Sequence, residues 1–227
     1  MKWIAAVGAT LMLAACTTTA VRVSNDAGRP PPGAKILLVQ PDVELSLLTV
    51  SGIAETKADW SATARGNLAS DVDSAMSERS LHTVSFDPTS AQTGRVGQLL
   101  RLNSAVGESI MLFNYAAYKL PTHESGFDWT LGDGTKALAD AYGADYALFI
   151  TARGTYASDG RKALAVGAAL LGVSVPLGHQ YVYASLVNLH TGKVVWFNIA
   201  VAGPDADMRD AQGARSLVAS VLKDAPL

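Results

Sequence analysis

The chain has 227 residues, 49% of them apolar and 17% charged, and this balance excludes an intrinsically disordered protein. Its formal net charge of -2 gives no basic excess, which argues against a nucleic-acid-binding protein and against polybasic attraction to anionic lipid. The length is sufficient for one domain with a substantial core.

The first 15 residues are typical of a secretory signal peptide. Lys2 precedes an apolar run over residues 3–13. This run is shorter than the roughly 20 residues that a transmembrane helix needs. A basic start, a short apolar run and small residues at its end are the features of a signal peptide. We therefore predict that residues 1–15 are removed from the mature protein.

The only cysteine of the chain ends the sequence LAAC at residues 13–16. This sequence resembles the lipobox of bacterial lipoproteins. The resemblance implies cleavage between Ala15 and Cys16, followed by acylation of Cys16 with fatty acids such as palmitate. Since Thr17 follows rather than aspartate, it also implies sorting to the outer membrane, with the protein facing the periplasm. Several acyl chains on one residue bind a membrane durably.

Residues 17–34 are mostly polar and contain three consecutive prolines at 30–32. Such a segment favours extended polyproline conformation and offers no apolar face to bury. We predict that residues 16–34 comprise the lipidated cysteine and a flexible tether, and that residues 35–227 form a single periplasmic domain. An edge strand over residues 20–24 is the alternative.

The first half of the domain alternates short apolar runs with longer periodic segments. Residues 35–40 are a buried strand that Pro41 stops, and residues 43–50 are a second strand. Residues 58–79 are a helix, since its apolar residues recur every four positions: Trp60, Ala64, Leu68, Val72 and Met76. A strand over residues 82–86 and a helix over about 90–117 follow.

The second half contains the most apolar strand. Residues 144–152 are apolar on both faces, which indicates a central strand covered on both sides. A helix over residues 135–142 precedes it. Residues 180–189 and 193–201 form a hairpin, and residues 207–222 are a closing amphipathic helix. The order of elements predicts an α+β fold, an α/β sandwich in which two to four helices pack on a mixed sheet.

Residues 163–178 carry no charge, and Pro176 limits any helix there to a length too short to cross a bilayer. The pattern favours a buried connection between two strands. The alternative is an exposed surface for self-association or partner docking, through Leu164, Val166, Leu170, Leu171 and Val173. Membrane insertion is the least favoured of the three interpretations.

The second half also carries short motifs with a known counterpart. The sequence GADY at residues 143–146 leads into the central strand, and VNL at 187–189 is followed by TGKVVW at 191–196. These motifs resemble the domain shared by the curli-secretion lipoprotein family, the penicillin-binding-protein activator lipoproteins and the TolB amino-terminal domain. Asn188 stands where aspartate is usual.

The resemblance covers roughly residues 35–222 and implies helices packed on a mixed sheet, in an adaptor that acts through protein contacts. It does not extend to the pore of the curli-secretion family. Pore hairpins alternate apolar and polar residues, whereas residues 94–113 have helical spacing and residues 163–178 are uniformly apolar.

Catalytic patterns are scarce in this sequence. It contains no G-x-S-x-G elbow and no phosphate-binding glycine loop, and its four histidines are scattered, so we predict no metal and no cofactor. His123, Glu124 and Asp128 form the one dense titratable patch, which could serve a periplasmic hydrolase. The competing interpretation is a solvated loop whose Phe127 and Trp129 fold back onto the core.

One further group is aromatic. Tyr181, Tyr183 and Trp196 could offer a surface to a partner, although their spacing favours cross-strand packing. The sequence as a whole predicts a lipid-anchored accessory or adaptor protein without enzymatic activity. We expect it to bind membrane lipid through acylated Cys16 and an envelope protein through its domain. An oligomeric component of an outer-membrane secretion or transport complex is the alternative.

Overall fold

The computed structural model describes residues 18–24, 30–91, 93–116, 118, 120, 126–203 and 206–227. The predicted signal peptide and Cys16 lie outside these residues, as do His123 and Glu124. Within them the chain forms eight strands: β1 Thr18–Val23, β2 Lys35–Val39, β3 Asp42–Leu48, β4 Ala54–Thr56, β5 His82–Phe86, β6 Tyr146–Ala157, β7 Gly178–Asn188 and β8 Val194–Val201.

Five α-helices accompany these strands in the described part of the chain: α1 Ala58–Glu78, α2 Gly94–Ile110, α3 Lys136–Tyr142, α4 Asp159–Ala169 and α5 Ala211–Val221. A π-helical turn over Met111–Tyr115 continues α2. The sheet is mixed and its main path runs β1-β8-β7-β6-β2-β5. The predicted α+β fold is confirmed.

The long strand β6 has two successive neighbours on one side. Residues 146–148 pair in parallel with β2, and residues 151–157 pair in parallel with β3. Pro41 lies between β2 and β3, where it cannot donate the backbone hydrogen bond that a continuous strand would need. On its other side β6 pairs with β7 in antiparallel register from Tyr146 to Tyr156. This arrangement makes β6 the central strand, as predicted.

Helices cover both faces of the sheet, so the core has two layers. Helices α1 and α5 pack on one face, where Leu148 of β6 and Trp196 of β8 are fully buried. Helices α2 and α3 pack on the other, against Phe149 of β6 and Phe197 of β8. Because successive residues of a strand point to opposite faces, one apolar run in β6 supplies both layers.

The apolar residues of helix α1, predicted from their four-residue spacing, pack on the sheet. Ala64, Leu68, Val72 and Met76, which recur every four residues, are all buried against the sheet. The Ser61 hydroxyl fixes the first turn, because it donates to the Lys57 carbonyl at 2.9 Å and accepts from the Leu45 amide at 2.9 Å. A single serine therefore joins the start of α1 to β3.

Two predicted helix boundaries were wrong. The closing helix begins at Ala211, because the Asp210 carboxylate caps it by accepting from the Gln212 amide at 2.8 Å. The helix predicted over about 90–117 begins at Gly94 and changes to π geometry at Met111.

The predicted tether was wrong for its first described residues, and the alternative of an edge strand is correct. Residues 18–23 pair with β8 in antiparallel register, and the Ser24 amide donates to the Val195 carbonyl at 3.2 Å. The Tyr115 hydroxyl also donates to the Ala20 carbonyl at 2.7 Å. Strand β1 is held by this pairing.

Candidate functional site: an exposed apolar tip

The connection from β6 to β7 projects beyond the sheet instead of packing on it. Helix α4 begins at Asp159, where the preceding Ser158 hydroxyl accepts from the Arg161 amide at 3.2 Å. The helix closes at residues 170–172, where Gly172 has φ 74° and the Val173 amide donates to the Ala168 carbonyl at 3.0 Å. An irregular segment then returns to β7.

No residue of α4 is buried, so the predicted buried connection between two strands is wrong. The physical reason is that α1, α5, α2 and α3 already cover both faces of the sheet. The alternative prediction of an exposed apolar element agrees with the observed surface. Leu170 and Leu171 are 86% and 82% exposed.

The turn between β3 and β4 adds to this surface. We call the combined surface the apolar tip; its large apolar members are all exposed and are Val50, Ile53, Leu164, Val166, Leu170, Leu171, Val173 and Leu177. The sequence indicated Leu164, Val166, Leu170, Leu171 and Val173 but missed Val50, Ile53 and Leu177. No local pattern could have joined residue 50 to residue 160, because that contact exists only in the fold.

Arg161 fixes the base of the apolar tip. Its Nε donates to the Pro176 carbonyl at 2.7 Å, and its guanidinium also donates to the Thr49 carbonyl at 3.3 Å. Gly160 allows the close approach, since a Cβ there would lie 2.6 Å from a methyl carbon of Val50. One arginine thus joins α4, the returning segment and the β3–β4 turn into one surface.

The start of the described chain lies at the same end of the sheet as the tip. Thr18 pairs with Val201, Val201 pairs with Tyr181, and Tyr181 pairs with Arg153. Ala157, where β6 gives way to the tip, is four residues beyond Arg153, or about 13 Å along the strand. Cys16 precedes Thr18 by two residues.

A cleft of about 870 Å³ lies beside the base of the tip. Arg209 lines it, with its guanidinium carbon 3.7 Å from the ring centre of Tyr156 and 4.5 Å from that of Trp60. Its guanidinium also donates to both oxygens of Asp207, at 2.6 to 3.0 Å. The Tyr156 hydroxyl donates to Gln180 Oε1 at 2.6 Å. These groups satisfy one another, which indicates a structural cluster.

The charge of this cluster is fixed by its hydrogen bonds. Partial burial alone would raise the pKa of Asp207, but hydrogen bonds from the Arg209 side chain and backbone amide outweigh it. The pKa of Asp207 therefore lies below its usual value, and Asp207 stays ionised. Burial raises the pKa of Tyr156, so its hydroxyl keeps the proton that it donates to Gln180.

The loop proposed for a hydrolase is described only from residue 126 onward. Phe127 is buried, and Trp129 Nε1 donates to Asn114 Oδ1 at 2.8 Å, so both fold onto the core as the competing interpretation predicted. Asp128 is exposed. Among the residues that the structure describes, no group of three or more His, Cys, Asp or Glu side chains could hold a metal ion.

The aromatic residues of the hairpin pack across strands. Trp196 and Tyr183 are buried, and Tyr183 stacks on Phe197 with ring centres 5.2 Å apart. Tyr181 is partly buried and stacks on His179. Cross-strand packing, which the spacing favoured, is confirmed for Tyr183. Within the described ranges no helix is both long enough and apolar enough to span a membrane.

No family model and no curated protein matches this chain. Two solved structures that it resembles are both of PelC from Paraburkholderia phytofirmans. The dodecamer of a PelC point variant, in space group C2, has 15% sequence identity and a TM-score of 0.42, covering 93% of this chain and 98% of that chain. The PelC dodecamer in space group P6 has 14% identity and a TM-score of 0.39, covering 92% and 98%. Similarity at this level carries no functional argument.

Proposed function

We propose that this protein is a lipid-anchored accessory protein of the outer membrane that faces the periplasm and acts by binding an envelope partner, without catalysis. Acylated Cys16 is its anchor. The lipobox at residues 13–16 and the resemblance of residues 143–146 and 187–196 to periplasmic lipoprotein domains support this proposal.

The position of the apolar tip is the observation that carries the proposal. A domain that presents Leu170 and Leu171 to water at 86% and 82% exposure has a surface suited to an apolar neighbour. That surface lies at the end of the sheet where Thr18 leads back to Cys16. The predicted anchor and the apolar tip therefore lie at the same end of the domain. This arrangement suits a protein that acts at a membrane surface.

Metabolic labelling tests the anchor directly. Cells that express the full chain are grown with an alkyne analogue of palmitate, and the protein is then captured and checked for the label. The wild-type protein and a Thr17→Ser control should carry the label and sediment with outer-membrane vesicles in a density gradient. Cys16→Ser should carry no label, because it lacks the thiol that is acylated. Label that persists in Cys16→Ser, or is missing from the wild type, would contradict the proposal.

An oligomeric envelope component is the second candidate function. The exposed apolar tip favours it, because apolar patches on a soluble domain are also used for self-association. Light scattering in mild detergent gives the molar mass of the purified protein. This mass distinguishes an oligomeric component from a monomeric accessory protein. A stable multimer that Leu170→Asp dissociates would support this second candidate.

A further inference from the structure

We infer that the apolar tip inserts into the surface of the lipid bilayer, so that α4 and the β3–β4 turn fix the orientation of the domain on the membrane. This inference deepens the proposed function and rests on it for the anchor. It adds a second membrane contact, distant in sequence from Cys16, and it assigns the occupant of the tip as lipid.

Location is the first argument. Cys16 precedes Thr18 by two residues, and two residues of chain span at most about 7 Å. Thr18 lies three strands away from β6 in the sheet, or about 14 Å to the side of the base of the tip. Helix α4 is about 16 Å long. A bilayer that receives acyl chains on Cys16 is therefore within reach of the tip when the sheet tilts toward it.

The composition of the tip is the second argument. Residues 163–178 contain no charged and no aromatic residue. Protein interfaces depend on anchors such as Trp, Tyr and Arg, which fill shaped pockets on a partner. Insertion into lipid needs no shape complementarity, because its favourable free energy comes from the transfer of apolar area out of water. The most exposed side chains, Leu170 and Leu171, lie at the turn where the projection reverses direction.

The charges at the base of the tip are the third argument. Arg161 and Lys162 lie in the first turn of α4, with Lys162 Nζ 3.0 Å from the Asp159 carboxylate. Arg161 is held by its carbonyl partners at the base of the tip, whereas the long apolar stem of Lys162 can extend along the helix while its charged end stays among lipid headgroups. The chain thus changes from charged to charge-free between residues 162 and 163, which defines a water-facing and a lipid-facing side.

The backbone limits the depth of insertion. Residues 173–177 are not helical, and unpaired backbone groups are costly in hydrocarbon. The Leu177 carbonyl accepts from the Ala157 amide at 3.1 Å, and the Pro176 carbonyl accepts from Arg161, so the base of this segment is satisfied. Insertion of about 5–10 Å, the depth of interfacial helices, places the leucines in apolar surroundings and leaves the base in the headgroup region.

Vesicle binding without the anchor tests the inference. The protein is residues 16–227 with Cys16→Ser, which contains every described strand and helix. Its sedimentation with vesicles of phosphatidylethanolamine and phosphatidylglycerol gives a partition coefficient. The double variant Leu170→Asp/Leu171→Asp should lower this coefficient about 100-fold, because two leucines lose their transfer into lipid.

A matched control separates the tip from general apolar exposure. Leu102 and Leu112 are exposed leucines of α2 and the π-helical turn, at 41% and 43%. The variant Leu102→Asp/Leu112→Asp should bind vesicles within about 2-fold of the parent, because these residues lie outside the tip. Circular dichroism checks that both double variants are folded.

Two results would overturn the inference. One is equal loss of binding, or equal retention, in the tip variant and its control. The other is a parent protein that does not bind vesicles but forms a multimer, together with a tip variant that is monomeric. That result would assign the tip to a second copy of the chain. Since Cys16 is absent from every protein in this experiment, failure of the lipidation proposal would leave its outcome unchanged.

Discussion

The first seven residues of strand β6 and the charge-free segment of the apolar tip are both uncharged and have opposite surroundings. Residues 146–152 are uncharged and are all buried, whereas residues 163–178 are equally uncharged and mostly exposed. Only residues 153–162 separate them along the chain. An apolar run is therefore buried only where the fold offers it a layer of the core.

Strand β6 lies between two layers of helices, whereas the tip has no layer to pack against. Side chains of β6 alternate between two helical layers, with Leu148 and Ile150 toward α1 and α5, and Ala147 and Phe149 toward α2 and α3. In the folded domain, helices α1 and α5 cover one face of the sheet and helices α2 and α3 cover the other. Helix α4 has no free face of the sheet to cover, so it remains outside.

The largest expected effect tests the buried side of this comparison. Leu148→Ala removes a side chain that is 1% exposed, and we expect it to lower the free energy of unfolding by about 2–5 kcal/mol. Urea denaturation, followed by circular dichroism, measures the change. A loss under about 1 kcal/mol would show that the centre of the sheet is not closely packed.

The junction between the two regions gives the next effect. Gly178 begins β7 with φ 107°, and a Cβ there would overlap the Thr155 carbonyl oxygen. Gly178→Ala should therefore reduce the free energy of unfolding by about 1–3 kcal/mol. Gly167→Ala is the matched control in α4, where a Cβ meets nothing within 4 Å and should be neutral or slightly stabilising. A neutral Gly178→Ala would mean that the chain does not pass this close to Thr155 where the tip returns to β7.

The Asp207–Arg209 pair beside the base gives a smaller, pH-dependent effect. The pKa of Asp207 is lower in the folded protein than its ordinary value of 3.8. The ionised carboxylate therefore adds stability that is fully present above pH 3.8 and is lost as the pH falls through the folded pKa. Urea midpoints measured from pH 5 downward should fall less steeply for Asp207→Asn than for the wild type. Identical pH profiles would show that the pair contributes nothing.

The smallest expected effect tests the exposed side of the comparison. Leu171→Ala makes the same kind of deletion as Leu148→Ala but at 82% exposure, and should change the free energy of unfolding by less than about 0.5 kcal/mol. The same urea titration measures it. A loss as large as that of Leu148→Ala would mean that the tip is packed against the domain in solution.

Elements with strong local signals could be predicted closely. Helix α1 was expected over residues 58–79 and spans Ala58–Glu78, because its four-residue apolar period matches the helical turn. Strand β6 was expected from its continuous apolar run, and the helix expected over residues 135–142 spans Lys136–Tyr142.

Features that depend on distant partners were harder to predict. Strand β1 could be offered only as an alternative to a tether, because its pairing with β8 joins residues that are more than 170 positions apart. The exposure of α4 depends on which helices already cover the sheet, and the sequence of residues 163–178 alone fits burial as well. The sequence therefore indicated five residues of the tip between 164 and 173 but left open whether they are buried, and it missed Val50, Ile53 and Leu177.

The central claim is that the tip meets lipid, and site-specific fluorescence tests it most directly. A bimane probe is attached to Leu170→Cys, or to Leu102→Cys as the control, in residues 16–227 with Cys16→Ser. With vesicles present, the probe at position 170 should shift to shorter wavelength and be quenched by brominated acyl chains, while the probe at position 102 should do neither. Equal emission and equal quenching at the two positions would contradict the claim.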